Sequence, residues 1–192
     1  MPEVKDKLYS FEDYLNYDDG TNHRYELVDG RLEIVNPPTF RHLLVAKYLE
    51  RCLDREIERL DLPWLCLKEA GIRTGWRKSR LSDLYVLPID AVEEFLDRSA
   101  ISQTPPLLVI EIVSPESVTR DYRYKRSEYA ALGIPEYWIV NPIDSSISIL
   151  FLEEGLYEET VFTGNQSIIS RIFPEISLKV DRVLLAGKMS ES

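Results

Sequence analysis

The chain has 192 residues, with 23 Lys+Arg against 33 Asp+Glu, a formal net charge of −10 and a pI near 4.8. A hydrophobic fraction of 44% excludes a disordered chain, and the length suits one domain, or two very small ones, and is enough to bury a real core. The acidic balance excludes a general nucleic-acid coat protein, which needs positive surface, but leaves room for an enzyme with a local basic patch.

Met1–Asp6 runs into charge with no apolar core, which argues against a signal peptide. Ser10 is placed to cap a short helix reaching Tyr17, with Phe11, Tyr14 and Leu15 on one face. Arg24–Val28 and Arg31–Val35 read as strands joined by Asp29-Gly30, a strong hairpin signal. Pro37-Pro38 ends that unit. Phe40–Leu60 carries a helix-period stripe of Leu43, Leu44, Ala46, Lys47, Leu49, Leu53 and Ile57. Trp64–Thr74 and Leu81–Leu87 read as two strands joined by a basic loop, and Asp90–Asp97 as a short acidic helix.

Leu107–Ser114 is an almost uninterrupted apolar run, as expected of a strand covered on both faces. Asp121–Leu132 reads as a helix stopped by Gly133 and Pro135, and Tyr137–Val140 as a second buried strand. Strand, helix and strand from Leu107 to Val140 make a parallel crossover candidate. Ser146–Leu152, Tyr157–Phe162 and Ile176–Val180 then form an antiparallel extension, and Asp181 is placed to cap a last helix. The fold class is α/β, with a mixed central sheet flanked by helices. No apolar stretch nears the roughly 18 residues of a membrane span. Cys52 and Cys66 match no zinc or CxxC spacing and read as reduced thiols of a cytoplasmic protein.

Glu111 lies inside that apolar run, on one face with Leu107, Val109 and Val113. A carboxylate there needs a cation, a metal or a proton. Asp83 interrupts a second apolar strand, and its ordinary reading is an exposed strand-start residue. Two such carboxylates can converge on one hard cation, which prefers oxygen ligands. Gly71–Arg80 and Arg120–Arg126 carry net +4 and +3, which leaves −17 for the rest of the chain. Basic charge beside two misplaced acids suits a phosphate-bearing substrate, although solvated basic faces are the simpler reading of either run alone. Trp76, Tyr122 and Tyr124 lie in these runs and read as base-stacking or packing residues. His23 and His42 have no ligand-spaced partner. His42 reads as a surface or packing residue, with a place near a cleft mouth open to it.

The ordered series Tyr25-Glu26-Leu27-Val28-Asp29-Gly30, Ser82-Asp83-Leu84, Val109-Ile110-Glu111-Ile112-Val113-Ser114-Pro115, Asp121 with Lys125, Tyr129-Ala130, and Gly133-Ile134-Pro135-Glu136-Tyr137-Trp138 resembles a known family. It is similar to small stand-alone bacterial restriction-endonuclease proteins of the PD-(D/E)XK nuclease superfamily. The resemblance runs from about Tyr25 to Pro142 and implies a restriction-endonuclease-like domain over residues 1–192. It implies that Asp83 and Glu111, with the backbone carbonyl of Ile112, hold Mg (or Mn), and that Glu26 completes the catalytic set. Ser82 stands where the superfamily has proline. Val113 stands where it has a lysine, and Lys125 matches a lysine carried on the following helix. Asn141 stands where an Asp is usual.

The implied function is metal-dependent endonuclease hydrolysis of phosphodiester bonds, in DNA, with Arg73, Arg77, Lys78 and Arg123 on flanking phosphates. Homodimerisation is expected of the class. The alternatives are a catalytically silent nuclease-fold module that binds nucleic acid or a protein partner, and a metal-free dimerisation domain in which Glu111 pairs with Lys125 or Arg123.

Overall fold

A computed structural model describes residues 7–187; the reading of Met1–Asp6 lies outside them. Ser10 caps α1 (Phe11–Leu15) through a full capping box with Asp13, and the helix ends two residues short of Tyr17. The hairpin β1 (Arg24–Val28) and β2 (Arg31–Val35) turns through Asp29 and Gly30, both at positive φ, as the two-residue turn requires.

α2 (Phe40–Arg59) follows and buries Val45, Ala46, Leu49, Leu53 and Ile57. Leu43, Leu44 and Lys47, expected in that stripe, are exposed. Cys52 on this helix and Cys66 are both free thiols, half-buried against the core.

Two expected strands are each broken in two. Trp64–Thr74 becomes β3 (Trp64–Lys68) and β4 (Gly71–Gly75), interrupted at Glu69, whose φ is 53°. Leu81–Leu87 becomes β5 (Lys78–Leu81) and β6 (Leu84–Pro88), interrupted at Ser82-Asp83. At both breaks the chain passes between two sheets, and the breaks bond to one another: Glu69 N–H to Asp83 O at 3.1 Å, Ser82 N–H to Ala70 O at 3.1 Å. The basic connection is the β4–β5 hairpin, turning at Trp76-Arg77.

After α3 (Asp90–Glu93), shorter than expected, come β7 (Ile101–Ser102) and β8 (Leu108–Ile112). A π-helical turn (Arg120–Lys125) leads into α4 (Arg126–Leu132), which Gly133 ends in the left-handed conformation. β9 (Glu136–Asn141) then pairs parallel to β8, as the crossover reading required. β10 (Ser146–Glu153) and β11 (Leu156–Thr163) extend the sheet antiparallel. Ile176–Val180 is not a strand; it makes one isolated bridge, between Ser167 and Lys179. α5 (Val180–Leu185) follows Lys179, and Asp181 sits in its first turn rather than at its cap.

The expected single central sheet is thus two mixed sheets: β2-β1-β5-β4-β7, and β11-β10-β9-β8-β6-β3. The larger one is covered on both faces, and its strands alternate accordingly. Leu84, Val86, Leu108, Ile110, Trp138 and Val140 join α2 and α5 on one side. Tyr85, Leu87, Val109, Tyr137 and Ile139 join Tyr129 of α4 and Ile72 of β4 on the other. Among the described residues, no helix is long and apolar enough to cross a membrane.

Candidate active site

The break between β5 and β6 holds Asp83 at the edge of a cleft of about 670 Å3 between the two sheets and the N-terminus of α2. Its backbone belongs to neither sheet, so the side chain is aimed by two contacts. Asp83 Oδ2 accepts the Ile112 N–H at 2.6 Å, and Oδ1 faces His42 Nε2 at 2.9 Å. His42 lies in the first turn of α2, where Thr39 Oγ1 accepts its backbone N–H. Burial pulls the His42 imidazole down. The hydrogen bond to Asp83, with the charges of Asp83 and Asp121, more than reverses that and holds it above its ordinary value.

Glu111 enters the same cleft from β8, with its flanking side chains packed in the two cores. Its face of β8 is the one predicted from the two-residue period, and it needs the partners that period implies. Glu111 Oε2 accepts from Lys125 Nζ at 2.7 Å, and Oε1 from the Tyr129 hydroxyl at 2.8 Å. Asp121, Lys125 and Tyr129 follow at four-residue spacing and are all buried on the inner face of the π turn and α4. Lys125 also donates to Leu81 O at 2.7 Å and stands 3.7 Å from Glu26 and 3.8 Å from Asp121.

Val113, at the position where a lysine was expected, is packed in the second core, so the ammonium beside Glu111 is supplied by Lys125 instead. Asn141 holds a turn: its Oδ1 accepts from the Ile143 and Asp144 N–H groups.

Glu26 reaches the cleft from β1. Its Oε2 pairs with Arg80 at 2.9 Å, and its Oε1 accepts the Leu81 N–H at 3.1 Å. Burial alone would raise it, but Lys125 and Arg80 outweigh burial and hold its carboxyl below the ordinary value. Glu26, Glu111, Asp121 and Lys125 are each 2% exposed. One ammonium therefore serves several buried acids. Burial, reinforced by the charges of Asp83 and Asp121, pushes Glu111 up to about 8 against the pull of Lys125. Lys125 is pulled down by burial but held above its ordinary value by Glu111, Glu26, Asp121 and Asp83.

Surplus negative charge on oxygen donors suits a hard divalent cation. The fit shows in one further atom: Asp121 Oδ1 is buried yet accepts no hydrogen bond. Among the described residues, no three His, Cys, Asp or Glu side chains stand close enough to enclose an ion alone. An ion at this place would have to take its remaining ligands from water and substrate oxygens.

The basic residues are placed differently from the sequence reading. Arg73, Arg77, Lys78 and Arg123 do not line this cleft. Arg73 lies over the Phe11 ring, Arg77 over Trp76, Lys78 pairs with Asp29, and Arg123 is exposed. The hairpin that carries the first three points its turn away from the sheet junction. The cations that do line the cleft with Lys125 are Arg24 and Arg120. Arg120 Nε is buried without a hydrogen-bond partner, 3.7 Å from Asp121. His42, Arg120 and Tyr129 were not singled out as site residues. Only the four-residue spacing of Asp121, Lys125 and Tyr129 carried a usable signal.

A profile of the Uma2 family, described as "Putative restriction endonuclease", matches residues 11–181. The chain belongs to the Uma2 family. Its structure is similar to the crystal structure of a putative nuclease of the DUF820 group from Anabaena variabilis. The TM-score is 0.77 and the identity 15%, over 93% of this chain and 98% of that one. At that identity the likeness shows the fold alone, and the fold is the restriction-endonuclease-like one the motifs implied. The type IIG restriction endonuclease BpuSI aligns at a TM-score of 0.40 and 12% identity, over 80% of this chain and 17% of that one. No curated protein matches the sequence. The Uma2 match and the fold support a nuclease function.

Proposed function

We propose that this Uma2 protein is a metal-dependent endonuclease that hydrolyses phosphodiester bonds in DNA. The observation that carries the reading is the position of Lys125: it stands 2.7 Å from Glu111, in the cleft that Asp83 also lines. Acid, acid and lysine line one cleft although the lysine comes from a different element than the motif implies.

Asp83 and Glu111, with the backbone of Ile112, would hold Mg2+ or Mn2+. When bound, the ion lowers the pKa of water and neutralises charge on the scissile phosphate. Lys125 spends two of its three N–H groups on Leu81 O and Glu111 Oε2, and offers the third to the oxygen that gains charge. Tyr129 and the Ile112 N–H fix the two carboxylates in place. Glu26 sets the Lys125 charge and orders water at the cleft floor. Arg120, with Arg24 at the mouth, receives the flanking phosphates without reading bases.

The test mixes the protein with plasmid, single-stranded DNA and RNA, each with Mg2+, Mn2+ or EDTA. Metal-dependent cleavage of DNA, lost in Asp83→Asn and in Glu111→Gln, is the expected result. Cleavage that survives both substitutions removes this site. Binding without cleavage, unaffected by EDTA, replaces the enzyme with a silent binding module. The open cleft disfavours a purely structural role for the Glu111–Lys125 pair.

A further inference from the structure

His42 and Asp83 present one nitrogen and one oxygen, 2.9 Å apart, on the wall of the cleft. Both are held from behind. The Ile112 N–H occupies Asp83 Oδ2 and leaves Oδ1 to the imidazole. The Thr39 cap fixes the turn of α2 from which His42 projects. Neighbouring donors of an octahedral divalent ion lie about 2.1 Å from the metal, and hence about 3.0 Å from each other. The observed spacing is that of two adjacent ligands. Independently, Asp121 Oδ1, in a side chain 2% exposed, lines the same cleft and accepts no hydrogen bond.

We infer that His42 is a ligand of the ion held at Asp83, and that the site takes a transition ion, for which Mn2+ is the paramagnetic probe, in preference to Mg2+. Imidazole nitrogen is a good donor to Fe2+, Ni2+, Cu2+ and Zn2+ and a weaker one to Mn2+, whereas Mg2+ keeps an all-oxygen shell. The ring binds as neutral imidazole, with its proton on Nδ1 and the Nε2 lone pair on the ion. The inference rests on the metal-dependent reading above and narrows it to a class of ion.

The test uses tag-free full chain, because the sequence then holds two histidines, His23 and His42, and an imidazole signal can be traced. Mn2+ is added to wild type, His42→Gln, His23→Gln and Asp83→Asn. Pulsed EPR reads nitrogen coupling to the bound ion, and calorimetry reads Mn2+ and Mg2+ affinity. The expected result is nitrogen coupling in wild type and His23→Gln, absent in His42→Gln. The Mn2+ dissociation constant of His42→Gln should rise about ten-fold or more, while that of Mg2+ moves by less than about two-fold.

Should His42→Gln fail to fold, wild type against His23→Gln still decides. Bound Mn2+ without nitrogen coupling, or coupling that persists in His42→Gln, overturns the inference. If that Mn2+ still depends on Asp83, the nuclease reading stands. Wild type that binds neither ion, even with a DNA oligonucleotide present, overturns both.

Discussion

Lys125→Met keeps a buried aliphatic stem and deletes the one charge that Glu111, Glu26 and Asp121 share. At an effective dielectric of about 20, the 2.7 Å pair with Glu111 carries about 6 kcal/mol of Coulomb attraction. Desolvation of the ammonium cancels a large part of that, and breaking a buried pair from one side costs about 3–5 kcal/mol. Leu81 O loses its donor as well.

The loss should depend on pH. Glu111 already sits at about 8, above its unfolded value near 4.5. A raised carboxyl stabilises the fold below the unfolded value, and that contribution is lost as pH rises through the folded one. At pH 6 the variant keeps Glu111 protonated and softens the loss. At pH 9 wild type carries Glu111 ionised against Lys125, whereas the variant, without the charge that lowers Glu111, gains nothing from ionising it beside Asp83 and Asp121. Urea unfolding followed by circular dichroism should therefore show a deficit of about 3–5 kcal/mol at pH 9 and a smaller one at pH 6. Adding Glu111→Gln should recover about 2 kcal/mol at pH 9, since the amide carries no charge. A deficit under about 1 kcal/mol at pH 9, or one equal at both pH values, would refute the shared-charge account.

Arg120→Ala should raise KM for DNA about ten-fold and reduce the salt slope of binding by about one, with kcat and the urea midpoint almost unchanged. A fall confined to kcat would remove Arg120 from the phosphate path. Glu128→Gln takes one carboxylate from Arg80, which Glu128 holds at 2.6 Å, and should cost about 2 kcal/mol at pH 7. Burial raises Glu128 but its Arg80 contacts lower it further, so its contribution is present above about 4.5 and fades as pH falls through its folded value. Urea curves of variant and wild type should thus converge on acidification. Tyr129→Phe leaves Glu111 Oε1 without its donor and should cost about 1–3 kcal/mol. It should also move the acid limb of the cleavage profile upward, and an unmoved limb would show that Glu111 does not set it.

Much of this molecule was legible in the residues because local rules decide it. Ser10 with Asp13 fixes the first helix, Asp29-Gly30 the hairpin, and Gly133 the end of α4. The β8 run, apolar on both sides of Glu111, announced a doubly covered strand with a charge that had to be answered. Asp83 and Glu111 stood out for the same reason: each breaks an apolar period, and burial of charge is costly enough that such a break demands a partner.

The tertiary structure decided what lies across space. Glu69-Ala70 and Ser82-Asp83 read as strand interiors, yet the chain changes sheets there, because the two breaks, distant in sequence, hydrogen-bond to one another and no local preference encodes that pairing. The basic residues of the β4–β5 hairpin looked adjacent to Asp83 by sequence, but the hairpin carries them away, while Arg24, Arg120 and His42 arrive from elements distant in the chain. The net charge of −10 suggested an acid surface with a basic cleft. The fold instead places six carboxylates against Arg24, Arg120 and Lys125 in that cleft. Sequence determined which groups were too costly to bury alone. Only the packing of two sheets and one helix determined which of them share a single lysine.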